Sequence, residues 1–279
     1  MIEAPEARLL CEQLNATVCG KKITDVFTQY SPHKFAWFNG APEEYAGMLV
    51  GRVFGKAQAQ AGIVEVTIGR KLLLFTDGIN LRYYAPGEKL PTKHQLLIAF
   101  DDESCLVASV RMYGGLFCIP PTGYDGSYAF YHESGRHKPQ VMTDDFSKSY
   151  FLGLINDEAE QKKSAKAFLA TGQMIPGLGN GVLQDILYRA RIHPKRKIGN
   201  LAEQERENLF YQIKETLQDI YRLNGRNTET DLFGVKGQYV ACLSKDTAGH
   251  ACPRCGETIV KENYLGGSIY YCKGCQTVE

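Results

Sequence analysis

Two Cys-x-x-Cys pairs close to the C-terminus constrain this chain more than any other feature. Cys252 and Cys255 form the first pair, Cys272 and Cys275 form the second, and sixteen residues separate the two pairs. Two thiolates spaced in this way can reach one ion from a single tight turn, so two such turns supply the four soft ligands of tetrahedral zinc. Four cysteines leave no open coordination position. We therefore expect one structural zinc ion on a β-hairpin.

The same two pairs are also compatible with disulfides or with an iron–sulfur cluster. Two disulfides would use the same four cysteines, and an iron–sulfur cluster also takes four thiolates. The chain has nine cysteines, and the other five are scattered through apolar or β-like stretches. An odd number with clustered pairs is typical of a reducing compartment, which favours a metal site and a cytoplasmic protein.

Length and charge limit the classes of protein to consider. A chain of 279 residues suits two domains with a small appended module. The formal net charge is +1, so any surface for a polyanion has to be local. No apolar run approaches the roughly 18 residues of a membrane span, and the N-terminal residues lack the basic-then-apolar pattern of a signal peptide.

The hydrophobic pattern changes along the chain and predicts an α+β protein of two domains. Residues 5–19 have helical spacing, with Pro5 suited to the first turn and Gly20 to the end of the helix. From 23 to 119, short β-like runs separated by Gly, Asn and Asp predict a sandwich or barrel. Apolar stripes at helical spacing between 145 and 224 predict a helical domain.

These patterns divide the chain into four segments. A linker is placed where turn formers and polar residues replace the apolar pattern. The tail beyond the last predicted helix is short, Gly-rich and β-like, and it holds the paired cysteines. The predicted segments are a β-sandwich domain with a flanking N-terminal helix (1–122), the linker (123–144), a helical domain (145–226) and a zinc-finger module (227–279).

A glycine-punctuated turn precedes one of the predicted helices. Gly177 and Gly179 allow the backbone to turn tightly and to approach a partner closely. Asn180 is suited to the start of the helix, where free N–H groups and the helix dipole favour an anion. The alternative is a helix cap without a ligand.

The segment after this helix is basic. Residues 189–197 concentrate five fixed positive charges in nine residues, which is enough for a local phosphate-binding surface. We expect Arg189, Arg191 and Lys195 to contact a phosphate backbone. The alternative is a solvated, charged helix end.

Together, these features resemble the formamidopyrimidine-DNA glycosylase and endonuclease VIII family over essentially the whole chain. Residues 173–194 resemble that family's helix–two-turn–helix, and the tail resembles its zinc finger. The segment around Lys56 resembles the one whose lysine contacts DNA phosphate near the lesion. The loop with Arg111 and Tyr113 resembles the one that fills the gap left by a flipped-out base. The resemblance implies these roles here.

The resemblance also implies a reaction. Family members attack the sugar C1′ with an N-terminal proline amine while a glutamate moves protons. Glu3 stands at the position of that glutamate, and Glu6 at the position of a second, positioning glutamate. The resemblance therefore implies a base-excision DNA glycosylase that can also have AP-lyase activity. It would act as a monomer on damaged or abasic duplex DNA, and such covalent chemistry needs no redox or nucleotide cofactor.

Three positions depart from the family pattern. Ile2 replaces the nucleophilic proline, so the attacking amine is that of Ile2 after removal of Met1, that of Met1 itself, or that of Lys56. Gly267 stands where the family's finger carries a phosphate-clamping arginine, and loss of that clamp weakens positioning of the lesion. Asp77 stands about where a void-filling methionine is common.

Two other functions remain open beside a glycosylase. One is a lesion-binding protein that kept the scaffold and lost the chemistry; the retained Glu3 argues against it, because binding alone needs no acid or base. The other is RNA binding through a zinc ribbon, which fits the helical segment less well. Plainer roles are open too: Glu3 as a first-turn helix residue, Lys56 as a solvated turn lysine, and Arg111 and Tyr113 as strand residues.

Overall fold

The first domain is a β-sandwich preceded by a helix. The computed structural model describes residues 2–123 and 129–278, and helix α1 (Ala4–Thr17) begins with Pro5 in its first turn. A short helix α2 (Tyr45–Leu49) follows a 3-10 turn at Pro42–Glu44. The strands of this domain are β1 (Ile23–Thr28), β2 (Ala36–Phe38), β3 (Ala57–Gln60), β4 (Ile63–Ile68), β5 (Lys71–Phe75), β6 (Ile79–Tyr84), β7 (Leu96–Phe100), β8 (Cys105–Val110) and β9 (Gly114–Ile119).

Two sheets form the sandwich. One has the order β1-β7-β8-β6 and is antiparallel, and the other has the order β2-β9-β5-β4-β3, in which β2 runs parallel to β9. Their inner faces and α1 share one apolar core, with Leu14, Ile23, Phe54 and Ile98 fully buried. The predicted sandwich with a flanking helix is confirmed.

A helix lies inside the segment that composition predicts to be a linker. Helix α3 (Ala129–His137) docks on the sandwich, where His132 Nε2 lies 2.8 Å from a carboxylate oxygen of Glu65 on β4. Tyr131 packs on the outer face of the same sheet. The helix was missed because its stability comes from these distant contacts rather than from local propensity.

The second domain is helical. It contains α4 (Lys148–Ile155), α5 (Glu158–Gln161), a π-helical turn (Ala167–Thr171), α6 (Val182–Ala190), a 3-10 turn (Ile198–Asn200) and α7 (Glu203–Arg222). Helices α6 and α7 pack together around a core that includes Leu183, Ile186 and Ile213. The predicted helical domain is therefore confirmed.

A β-hairpin completes the second domain. Strands β10 (Ile259–Tyr264) and β11 (Gly267–Cys272) pair antiparallel, and the hairpin packs against α6 through a small cluster around Tyr188. Among the described residues, every helix is too short or too polar to cross a bilayer.

Candidate active site and nucleic-acid interface

A cavity of about 690 Å³ opens between the two domains and the hairpin. The first domain lines it with the start of α1, the β5–β6 turn and the 111–113 loop, and the second with the turn before α6 and the tip of the hairpin. A cavity of this size accommodates a nucleotide-sized ligand. The predicted site residues that line it are Ile2, Glu3, Glu6, Arg111, Tyr113 and Asn180.

Other predicted site residues lie outside this wall. Lys56 is exposed just before β3, and Met1 lies outside the described residues. The basic segment and the cysteines lie farther along α6 and on the hairpin. The predicted residues in this second group are Arg189, Arg191, Lys195, Cys252, Cys255, Cys272 and Cys275.

Glu3 joins the two domains at the cavity wall. Its carboxylate is buried, with the residue 2% exposed, and it accepts hydrogen bonds at 2.8 Å from the backbone N–H groups of Gly181 and Val182. These groups begin α6, where free N–H groups and the helix dipole favour an anion. A Cβ on Gly179 would lie 2.6 Å from a carboxylate oxygen of Glu3, so the approach needs a glycine. The Glu3 side chain therefore caps α6, a helix remote in sequence, and makes no capping hydrogen bond to its own helix α1.

A buried arginine that the sequence did not single out completes this cluster. Arg226 Nε donates to Glu6 Oε1 at 2.7 Å, and Arg226 Nη1 lies 3.5 Å from Glu3 Oε1. Burial raises the pKa of Glu3, and the positive charge of Arg226 offsets this only in part. A carboxyl group with a raised pKa is suited to proton transfer. Glu3 and Glu6 are three residues apart at the start of a helix and so share one face. This spacing could have predicted that a cationic side chain pairs with them.

The nitrogen of Ile2 also lies at the cavity wall. It donates to the backbone carbonyl of Asp77 at 2.6 Å, while the Ile2 side chain is buried in the sandwich core. The hydroxyl of Tyr113 makes a long hydrogen bond of 3.5 Å to the Asp77 carboxylate. Burial, together with the charge of Asp77, raises the pKa of Tyr113 to about 12, so the phenol stays neutral. Asp77 thus fixes its neighbours on this wall.

Hydrogen bonds tie the hairpin to the turn before α6. Asn180 Nδ2 donates to the carbonyl of Ser268 at 2.8 Å. Gln184, which is buried in α6, donates to the carbonyl of Asn180 at 2.9 Å and accepts from the N–H of Tyr270 at 3.0 Å. The predicted anion-binding turn and the predicted finger therefore form one continuous wall.

The hairpin tip leaves room for a lysine that the sequence analysis missed. A Cβ on Gly267 would lie 3.4 Å from Lys166 Nζ and 3.5 Å from Asn180 Nδ2. Lys166 lines the cavity and donates to the carbonyl of Tyr264. Burial lowers the pKa of Lys166. A cationic side chain is therefore present beside Gly267, although the position itself carries no arginine.

Acidic neighbours neutralise much of the basic segment. Three of its five cations form ion pairs, Arg189 with Asp219, Lys195 with Glu262 and Arg196 with Glu205. Arg191 is exposed at the end of α6 in a left-handed conformation (φ 61°), and the described part of the chain offers it no ion pair. The charge free to meet a phosphate backbone is thus smaller than the sequence suggests.

The four paired cysteines meet in space. Their sulfurs all lie within 4.8 Å of one another, with Cys252 Sγ 3.8 Å from Cys275 Sγ and Cys255 Sγ 3.3 Å from Cys272 Sγ. Tetrahedral zinc with Zn–S bonds of about 2.3 Å places its sulfurs roughly 3.8 Å apart, whereas a disulfide needs about 2 Å. The four thiols therefore fit a metal ion.

Comparisons with known proteins give a consistent result. Residues 139–231 match the family model described as the formamidopyrimidine-DNA glycosylase H2TH domain. The formamidopyrimidine-DNA glycosylase of Streptococcus pneumoniae is 26% identical over 283 residues, which covers 99% of both chains. That of Lactobacillus delbrueckii subsp. bulgaricus is 28% identical over 284 residues, again with 99% of both covered.

Solved structures share the fold. Lactococcus lactis Fpg in complex with DNA containing an abasic site superposes with a TM-score of 0.81 at 22% identity, covering 99% of both chains. MutM in complex with DNA containing carbocyclic 8-oxo-G superposes with a TM-score of 0.80 at 23% identity, again covering 99% of both chains. The match extends through the sandwich, the helical domain and the hairpin. Over its full length the chain is thus similar to formamidopyrimidine-DNA glycosylases, and residues 139–231 match their H2TH domain.

Proposed function

We propose that this protein is a base-excision DNA glycosylase that flips a damaged nucleotide out of duplex DNA and cleaves its N-glycosidic bond. The observation that carries the proposal is Glu3, a buried carboxyl group of raised pKa on the wall of a nucleotide-sized cavity. A group with these properties can transfer protons to and from a sugar or base held beside it. The relatives named above carry this activity in their names.

The loop and the turn at the cavity mouth would hold the DNA. Arg111 and Tyr113 line the same cavity as Ile2, and we expect them to fill the space that the flipped nucleotide leaves. Asn180 lies on the cavity wall in the turn before α6, where it would contact a phosphate of the flipped strand, while Glu3 holds the N–H groups of Gly181 and Val182 that begin the helix. Exposed Arg191 and Lys56 would add contacts to phosphates farther from the lesion.

The Ile2 nitrogen is the candidate nucleophile. It becomes a primary amine when Met1 is removed, and the Asp77 carbonyl at 2.6 Å holds one of its hydrogens so that its lone pair can face the cavity. Attack forms an N–C1′ bond as the glycosidic bond breaks, and the departing base takes the electron pair. Glu3 relays a proton from the amine to the sugar ring oxygen or the base. Ring opening leaves a Schiff base, which water hydrolyses or which loses the 3′ phosphate by β-elimination.

A binding protein without chemistry is the second candidate, and one observation favours it. Both oxygens of Glu3 already accept backbone N–H groups and one also faces Arg226, so this carboxylate has a structural role that would be kept without catalysis. Such a protein would hold an abasic or damaged site without opening the sugar. The two candidates share the DNA-binding surface and differ only in reactivity.

We infer that zinc occupies the four-cysteine site. Four thiolates in a closed tetrahedral arrangement hold zinc as a structural ion. The ion would fix the hairpin against α6, because Tyr188 of α6 contacts Cys252 Sγ at 3.2 Å. Zinc would thus keep Ser268 in place beside Asn180, where the two are hydrogen-bonded.

Borohydride trapping on a duplex with an abasic site tests the proposal. We expect a covalent adduct with the wild-type protein and with Lys56→Ala, and none when an uncleaved extension blocks the N-terminus. Ile2→Pro should trap at least as much, since a secondary amine forms an iminium readily. The intact mass of each protein reports whether Met1 is present. Tight binding without an adduct, strand nicking or base release would instead support the binding protein.

A further inference from the structure

The only tryptophan of the chain is exposed beside the loop proposed to fill the gap in the duplex. Trp37 lies on β2 and is 41% exposed, and its ring centroid is 5.9 Å from that of Tyr113, with the planes inclined by 31°. Strand β2 pairs in parallel with β9, and Trp37 is opposite Gly115. The indole therefore stands next to the 111–113 loop.

Packing within the protein does not explain this exposure. Ala36 and Phe38, the neighbours of Trp37 along β2, pack against the sandwich core, while Trp37 projects to the opposite face. An aromatic side chain of this size buries 150–250 Å² when it is enclosed, and its exposure leaves a large part of that area in water. Exposed aromatic surface next to a binding site is typical of a contact with a partner.

The neighbouring surface is aromatic and cationic. Phe35 is 46% exposed, and Lys34 Nζ lies 5.3 Å from the centre of its ring. Arg111 is exposed, and Met112 beside it is 62% exposed. Flat rings flanked by cations complement nucleic acid, in which bases offer flat faces and phosphates offer negative charge.

The two aromatic rings face different surroundings. Tyr113 lines the cavity and is held by Asp77, whereas Trp37 is not part of the cavity lining and packs beside the ring of Tyr113. When a nucleotide enters the cavity, the base that was paired with it stays on the other strand without a partner. A ring that lies beside Tyr113 but outside the cavity lining is suited to meet that base.

We propose that Trp37 stacks on the orphaned base of the strand opposite the lesion and so contributes to discrimination among opposite bases. This inference rests on the proposed function, because it requires a flipped nucleotide. It adds to Arg111 and Tyr113 a residue that reads the undamaged strand. Stacking favours larger rings, so an opposite purine should be held more tightly than a pyrimidine.

Trp37 is its own fluorescent reporter, since no other tryptophan contributes to the emission. The probe is a duplex with a tetrahydrofuran abasic analogue placed opposite either adenine or a second tetrahydrofuran. We expect emission to be strongly quenched by the first duplex and much less by the second. The Kd of Trp37→Leu for the first duplex should rise on the order of 10-fold, with little change for the second. Trp37→Phe should recover most of the affinity.

The matched control is Tyr211→Leu, which removes another aromatic side chain, 52% exposed on α7. It should leave both Kd values unchanged. Tight binding with unaltered emission, or equal effects of Trp37→Leu on the two duplexes, overturns the role of Trp37 and leaves the glycosylase intact. Absence of any binding of the wild-type protein to either duplex overturns both proposals. The second duplex also shows whether Trp37→Leu remains folded.

Discussion

The four-cysteine site and the Glu3 cluster support the same cavity but are assembled over very different distances along the chain. The four cysteines lie within one short segment, and Cys252 and Cys275 are 23 positions apart. Glu3 meets Val182 across 179 positions, and Glu6 meets Arg226 across 220. Spacing therefore encodes the first site locally, whereas the second exists only after the two domains have packed together.

Loss of one metal ligand should have the largest effect. Cys272→Ser leaves three thiolates, and metal binding by such sites is worth about 10 kcal/mol or more of folding free energy. We expect the metal content to fall well below one ion per chain and DNA affinity to drop on the order of 100-fold. Metal analysis and amide hydrogen exchange across 259–272 measure the two effects.

Cys19→Ser is the control for this experiment, because Cys19 is exposed and lies in the first domain. It should keep the metal and the affinity. If Cys272→Ser retained a full complement of metal and bound DNA normally, the hairpin would not depend on the ion. The four-cysteine site would then no longer be an example of a site that the local sequence encodes.

Replacement of Glu3 should come next in size. Glu3→Gln removes the buried charge that faces Arg226 and points an amide N–H toward the N–H groups of α6, so we expect a loss of about 3–5 kcal/mol in the free energy of unfolding. Base release and trapping should fall to background, since the proton relay is gone. Urea unfolding and single-turnover assays give the two quantities.

Glu6→Gln separates the two roles of this cluster. It disturbs the same arginine, yet Glu6 receives no backbone N–H from α6 among the described residues. We expect a smaller loss of stability and residual base release. Wild-type activity in Glu3→Gln would refute the acid–base assignment, and equal destabilisation by the two variants would refute the importance of the helix cap.

The same distinction explains what could be read from the sequence. Paired cysteines, a Gly-x-Gly-Asn turn and alternating apolar runs are local patterns, and they predicted the hairpin, the start of α6 and the sandwich. The roles of Arg226 and Lys166 were not predicted, because a single arginine or lysine in the sequence does not indicate which cavity its side chain will line. Helix α3 was not predicted, because the contact between Glu65 and His132 stabilises it rather than its intrinsic helix propensity. The three acids that pair with the basic segment lie on α7 and β10, too far along the chain for a short sequence motif to include them.

The salt dependence of DNA binding tests that neutralisation. Arg191→Gln should reduce the slope of log K against log salt concentration by about 0.9, because an unpaired arginine releases one counterion when it meets a phosphate. Lys195→Gln should change the slope less, since Glu262 already holds the Lys195 ammonium. Fluorescence anisotropy between low and moderate salt measures both slopes. Equal slope changes would mean that the ion pair opens on binding.

The smallest expected effect is a pH dependence at the junction of α6 and the hairpin. His193 is buried there, its ring centroid 4.3 Å from that of Tyr271, and its Nδ1 accepts the N–H of Lys195 at 3.1 Å. Burial lowers the pKa of His193 below its ordinary value of 6.5, and the charge of Lys195 adds to the effect. The stability that the neutral His193 ring contributes is therefore fully present above pH 6.5, and it is lost as the pH falls below 6.5 toward the lowered pKa of the folded protein.

His193→Asn isolates this contribution, because the asparagine oxygen can replace Nδ1 as the acceptor while nothing titrates. Between pH 7.5 and 5.5 the wild-type protein should lose at most about 1.4 kcal/mol more than the variant in the free energy of unfolding. Titration of the cysteines affects both proteins alike and cancels in the difference. Hydrogen exchange should locate the loss in the hairpin and leave α1, with Glu3 at its start, protected. Identical pH profiles for the two proteins, or exchange that rises equally in both regions, would mean that the two sites respond to acid as one unit.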